Sequence, residues 1–215
     1  MKAVKMLFWE VRRMFKEHPA QLIMLLSVLS PLAGLTLYKQ ASAETMLSMY
    51  LANPALAGGV VSGILFGLLT VYELDRTVRN RVDVITDAVV SPMRTALIRL
   101  LTLLFMSLVM LLITTAVWCP VTLIKTGAVF DMTDHCLAYI LFMGLSMPAA
   151  ILAAAAAYQF TRRADLSLVL FAAFAGLSLT VWADDWQLCW LNPCGWALSD
   201  DFSNFRIFRS AAYMR

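Results

Sequence analysis

Charge is scarce in this chain, and it is missing where chemistry inside a membrane would need it. Charged residues make up 14% of the sequence, and none lies near the centre of a long apolar run. Carriers coupled to protons or sodium use intramembrane carboxylates, histidines or broken helices, so the pattern argues against self-powered transport. A Gly-x4-Gly-Lys-Ser/Thr loop is also absent, so the chain cannot hydrolyse nucleotide alone. There is no HExxH and no paired acidic motif within an apolar run. The two histidines, His18 and His135, are predicted on opposite sides of a membrane. Asp131, Asp134 and His135 form a conceivable metal group. DMTDHC is short and lacks further ligands, however, so these three read as solvated loop residues. No basic patch with interleaved aromatics occurs, which argues against nucleic-acid binding. The chain reads as a non-enzyme with no cofactor or metal of its own.

What is abundant is apolar surface. The sequence is 61% hydrophobic, with a mean hydropathy of +0.75. Those values point to a polytopic membrane protein rather than a soluble domain. Residues 1–215 read as one all-α transmembrane domain with five spans, at about 20–38, 55–72, 98–117, 137–160 and 166–182. Each is long enough for a ~30 Å hydrocarbon core at ~1.5 Å per residue. The net charge of +3 matters less than its distribution. Lys2, Lys5, Arg12, Arg13 and Lys16, the loop at 73–99, and Arg162-Arg163 carry most of the basic residues. The positive-inside rule puts these segments, and the N-terminus, in the cytoplasm. The loops holding Lys39 and Lys125 fall outside, as does the C-terminal segment. The expected location is the cell (inner) membrane.

Residues 1–19 are not a cleavable signal, because Glu10, Arg12, Arg13, Lys16 and Glu17 interrupt any apolar core. Helical period gathers Val4, Leu7, Phe8, Val11, Met14 and Phe15 on one face and Lys5, Arg12, Arg13 and Lys16 on the other. That is an interfacial helix whose bases face anionic lipid headgroups. His18-Pro19 ends it.

The most informative stretch runs from Tyr72 to Arg99. Five arginines (Arg76, Arg79, Arg81, Arg94, Arg99) lie among Glu73, Asp75, Asp83 and Asp87. At helical period Val78, Val82, Ile85 and Val89 share one face, with Arg79, Asp83, Thr86 and Asp87 opposite. An amphipathic helix in such a loop lies on headgroups or on its own bundle, or else docks a soluble partner. Ser91-Pro92-Met93-Arg94 and Arg99 then open the next span.

This order resembles the membrane subunits of type-2 ABC transporters. In that family an acidic residue closes the second span, and a short coupling helix sits on the ATPase subunit. A Thr/Ser-Pro and a basic residue then open the third span. Glu73, residues 79–90, Ser91-Pro92 and Arg94/Arg99 match those positions; the family's Gly-Thr before the helix is missing, with Thr77 and Asn80 near its place. The resemblance implies ATPase coupling through Glu73, Arg76, Arg79, Val82, Asp83, Ile85, Thr86, Asp87, Val89 and Pro92. It implies an exporter that pairs with a second permease and an ABC ATPase subunit, with ATP and Mg held in the ATPase. The helix over 1–19 resembles the family's elbow helix. The competing reading is a non-transport assembly or regulatory subunit whose loop at 73–97 recruits another cytoplasmic protein.

Other features are structural. Gly59, Gly63 and Gly67 form a small-residue ladder for close helix packing. Pro148 is expected to kink its span, and Arg99 to snorkel from a membrane edge. Cys119, Cys136, Cys189 and Cys194 all fall on the predicted outer side, where disulfides are permitted, and spacing leaves their pairing open. Asn192-Pro193 can fold the chain back and bring Cys189 and Cys194 together. Trp182, Trp186 and Trp190 repeat every fourth residue, which suits an outer cap over 183–215 lying at the headgroups. The resembled family has a sixth span after such an Asn-Pro. The expectation is therefore a chain lacking that span, or one whose 186–213 segment folds back into the outer interface.

Overall fold

Three prolines open or begin helices in this chain, and three others, Pro54, Pro120 and Pro148, lie inside long ones. The computed structural model describes residues 2–36, 47–80, 91–126 and 132–179. Every regular element among them is a helix. They are α1 (Lys2–Met14), α2 (His18–Leu29), α3 (Pro31–Thr36), α4 (Leu47–Leu74), α5 (Arg76–Arg79), α6 (Pro92–Thr126), α7 (Met132–Thr161) and α8 (Ala164–Leu179). Pro19 sits in the first turn of α2, behind an extended Glu17. Pro31 opens α3 and Pro92 opens α6. Proline is favoured there because its missing N–H would have no partner anyway. The amides of Arg94 and Thr95 then close the first turn of α6 on the Ser91 carbonyl. After Thr161, Arg162 takes a left-handed φ of 54° and stops α7.

Three helical stretches are long and apolar enough to cross a membrane: Asn53–Leu74, Met93–Ile124 and Met132–Thr161. Two shorter apolar stretches, His18–Gly34 and Ala164–Ser178, stand at the places predicted for the first and last spans. Many leucines point away from the protein, among them Leu108, Leu112, Leu145 and Leu152. That inside-out surface suits lipid rather than water.

The central element is α4. It packs against α2, α3, α6, α7 and α8. One core lies between α2, α4, α6 and α7, around Phe66, Leu103, Met106, Tyr139 and Met147. A second joins α4, α7 and α8 around Val71, Ala150, Ala154 and Phe171. The glycines of α4 permit this. A Cβ on Gly59 would stand 2.6 Å from the Phe142 carbonyl oxygen of α7. Ser146 donates to the Gly59 carbonyl at 2.9 Å. A Cβ on Gly67 would collide with the Phe171 ring of α8. Gly63 is buried between them.

Three expectations need correction. α7 begins at Met132, so His135 is not a solvated loop residue; it is fully buried. Helical spacing puts it on one face with Ala138, Tyr139 and Phe142, and its Nε2 lies 3.1 Å from the Thr115 carbonyl oxygen. The apolar stripe of α1 is also divided. Met14 is buried and Val11 packs on the core. Phe8, Trp9 and Phe15 point outward, the first two 64% exposed. Arg99 does not snorkel; it turns inward, for reasons given below. Pro148 lies inside α7, which continues through it to Thr161.

The packing of α4 gives a direct test. Gly67→Ala should lower stability by about 1–3 kcal/mol, because its Cβ has no room. Gly176→Ala, where a Cβ meets nothing within 4 Å, should be neutral or slightly stabilising. Thermal unfolding of the two variants in one detergent measures the contrast.

Candidate functional site

The charges that the spans exclude collect where α1 and α4 end and α6 begins. Arg13 is the hub. Its Nε donates to Glu10 Oε2 at 2.7 Å, one turn back in α1. Its Nη1 donates to Glu17, just beyond α1. Its Nη2 donates to Glu73 Oε2 at 2.5 Å, near the end of α4. Arg76 adds a second cation, 3.4 Å from Glu10 and 3.6 Å from Glu73. Arg99, one turn and more into α6, donates from Nη1 to the carbonyl oxygens of Glu73 at 3.0 Å and Leu74 at 3.3 Å. Those carbonyls end α4 and have no partner within the helix, so the guanidinium caps them. Here is the reason Arg99 turns inward: the uncapped end of α4 attracts it more than the interface does.

Three carboxylates thus meet three guanidinium groups. Glu73 is 1% exposed. A carboxylate that deep persists only with charged partners at close range. α7 joins the same end of the bundle, where Tyr158 donates to Asp75 Oδ1 at 3.2 Å. Beyond the cluster Arg79 is exposed, and its guanidinium stacks 3.7 Å from the centroid of the Tyr72 ring.

Electrostatics agrees with this geometry outside the spans. Burial raises the Glu10 carboxyl, but the hydrogen bond from Arg13 and the charges of Arg13 and Arg76 outweigh it, so its pKa falls below the ordinary 4.5. Burial opposes the charge on Arg13, yet Glu73, Glu17 and Glu10 together raise its pKa.

Of the residues the sequence singled out for coupling, the structure brings Glu73 and Arg76 into this cluster. Arg79 lies at its edge, at the end of α5. Pro92 opens α6. Val82, Asp83, Ile85, Thr86, Asp87 and Val89 lie outside the described residues, as do Cys189, Cys194 and the tryptophans from 182 onward. Sequence reasoning missed Glu10, Arg13 and Glu17 as members of the site. The spacing of Glu10, Arg13 and Glu17 at three and four residues was the available signal. Nothing local marks a pairing between Arg13 and Glu73.

Among the described residues no three of His, Cys, Asp and Glu are placed to hold a metal. The cluster carries no nucleophile; what it can do is fix three helix ends to one another. Comparison with family models, with curated proteins and with solved structures finds no match for this chain.

Two outcomes follow from the geometry. Arg13→Ala strands a buried carboxylate and should cost about 3 kcal/mol or more. Adding Glu73→Gln should recover part of that loss, with a coupling energy of roughly 0.5–3 kcal/mol in a double-mutant cycle. The lowered Glu10 pKa contributes stability above pH 4.5 that is lost as pH falls through the folded value. Protease clipping between α1 and α2 should therefore rise on acidification below 4.5, and Glu10→Gln should show that sensitivity at neutral pH.

Proposed function

We propose that this chain is a transmembrane permease subunit of an ATP-driven transporter of the type-2 ABC class, an exporter. One observation carries the reading. The charge cluster ties α1 to the end of α4 and the start of α6, which stand before and after α5 and residues 81–90. A segment that transmits a pull from an ATPase needs stiff ends; one resting on lipid does not. In this reading the 79–90 segment docks on a separate ATPase subunit that holds ATP and Mg. Closure of the ATPases pulls on that segment. Arg13, Glu73 and Arg99 pass the movement to α4 and α6 together, because the three cannot shift independently without exposing a buried charge. α1 is the elbow helix, with Phe8, Trp9 and Phe15 turned to lipid. A second permease, identical or related, completes the path.

The topology belongs to the same proposal: five crossings, with the N-terminus and the charge cluster in the cytoplasm of a cell with an inner membrane. The basic residues of α1, α5, the start of α6 and the α7–α8 turn are the support, by the positive-inside rule. Cysteine labelling at Asp83 and Arg163 should occur only from the cytoplasm, and at Gln40 and Lys125 only from outside.

The coupling itself is tested by Val82→Asp and Ile85→Asp. Each buries a charge without a partner on the proposed docking face, at a cost of several kcal/mol. Both variants should insert normally yet lose an ATPase that co-purifies with the parent chain in mild detergent. Unchanged recovery of the ATPase would contradict the docking face. A co-purifying partner without a nucleotide-binding loop would point instead to an assembly subunit.

A further inference from the structure

Arg13 is held by Glu10, Glu17 and Glu73, and that fixes which way α1 faces. Lys5, Phe8, Trp9 and Arg12 recur at three- and four-residue spacing on its exposed side. Phe15 and Lys16, also exposed, continue the stripe, because their amides still bond back to the Val11 and Arg13 carbonyls. Bases and aromatic rings therefore share one face instead of lying on opposite ones. The Arg12 guanidinium stands 5.7 Å from the centroid of the Trp9 ring. Glu10 and Glu17 are both engaged by Arg13. Among the described residues, no carboxylate lies within ion-pair reach of Lys5, Arg12 or Lys16. The face is cationic and unpaired, and it carries exposed rings.

The stripe continues into α2. Gln21, exposed near the start of α2, donates from Nε2 to the Phe15 carbonyl at 2.8 Å. Leu22, Leu25 and Leu29 follow at helical spacing, each at least 50% exposed. A set of unpaired cations thus joins directly to an apolar wall. An acidic soluble protein matches the cations and leaves the leucines in water. A lipid with no net charge matches the leucines and leaves the cations unanswered. A phospholipid with a net negative headgroup matches both.

We propose that the corner between α1 and α2 is a binding site for an anionic phospholipid. Arg12 and Lys16, one turn and ~6 Å apart along the axis, take its phosphate oxygens through charge-assisted hydrogen bonds. Trp9 and Phe15 sit at the level of the glycerol, where aromatic rings are favoured. An acyl chain runs along Leu22, Leu25 and Leu29. The site needs a bilayer around α2 and no ATPase, so it stands or falls separately from the transport reading.

The test uses the full chain in a neutral detergent, offered phosphatidylglycerol and phosphatidylcholine with the same acyl chains. Native mass spectrometry reads which lipid stays bound. Phosphatidylglycerol should be preferred about tenfold or more. Arg12→Gln/Lys16→Gln, at two exposed positions, should bring the two lipids level. Arg163→Gln, which removes an exposed base at the turn between α7 and α8, should leave the preference intact. Brominated phosphatidylglycerol should quench the fluorescence of the parent chain more than that of Trp9→Phe. Equal retention of the two lipids by the parent would overturn the proposal, as would a preference that survives Arg12→Gln/Lys16→Gln. So would equal quenching in the parent and Trp9→Phe. A loss as large in Arg163→Gln would show diffuse attraction to every exposed base, and would overturn it too.

Discussion

The buried carboxylate of Glu73 sets the terms for one whole end of this molecule. It sits at the last turn of the helix that every other long helix touches. A charge at 1% exposure beside an apolar core cannot stand alone. Arg13 and Arg76 answer it through their side chains, and Arg99 answers the carbonyls that surround it. Because Arg13 belongs to α1, the N-terminal helix is drawn onto the bundle rather than left free on the surface. Met14 and Val11 follow it into the core. The aromatic remainder of α1, Phe8 and Trp9, is thereby left facing outward.

The two ends of the bundle are held differently. At the charged end, ion pairs join helix termini. At the other, uncharged hydrogen bonds cross between helices: Trp118 to Val28, and His135 to Thr115. Between them α4 relies on absent side chains, with Gly59 against α7 and Gly67 under Phe171. Charge at one end and close packing in the middle are what a membrane demands of a helix bundle.

Local signals were legible and long-range ones were not. Apolar runs marked α4, α6 and α7, because a span needs a length of hydrophobic sequence that little else imitates. Ser91-Pro92 marked the start of α6 through the conformational limits of proline. The ladder at Gly59, Gly63 and Gly67 was visible from spacing alone, but the partners it meets, Phe142 and Phe171, were not. Arg99 was read as a snorkelling edge residue because its alternative partners, the Glu73 and Leu74 carbonyls, are backbone atoms that no sequence displays. Arg13 and Glu73 are sixty residues apart, and only the packing of α1 joins them. His135 was misread because the onset of α7 was placed five residues late, at Leu137 rather than Met132.

The central claim is that Glu73 anchors α1. It is tested most directly by pulsed electron resonance between spin labels at Lys5 and Met93, both exposed, in a chain whose native cysteines are serine. The account predicts a single narrow distance that broadens and lengthens when Glu73 becomes glutamine. An identical narrow distribution in both proteins would mean that apolar packing alone seats α1, and would contradict the account.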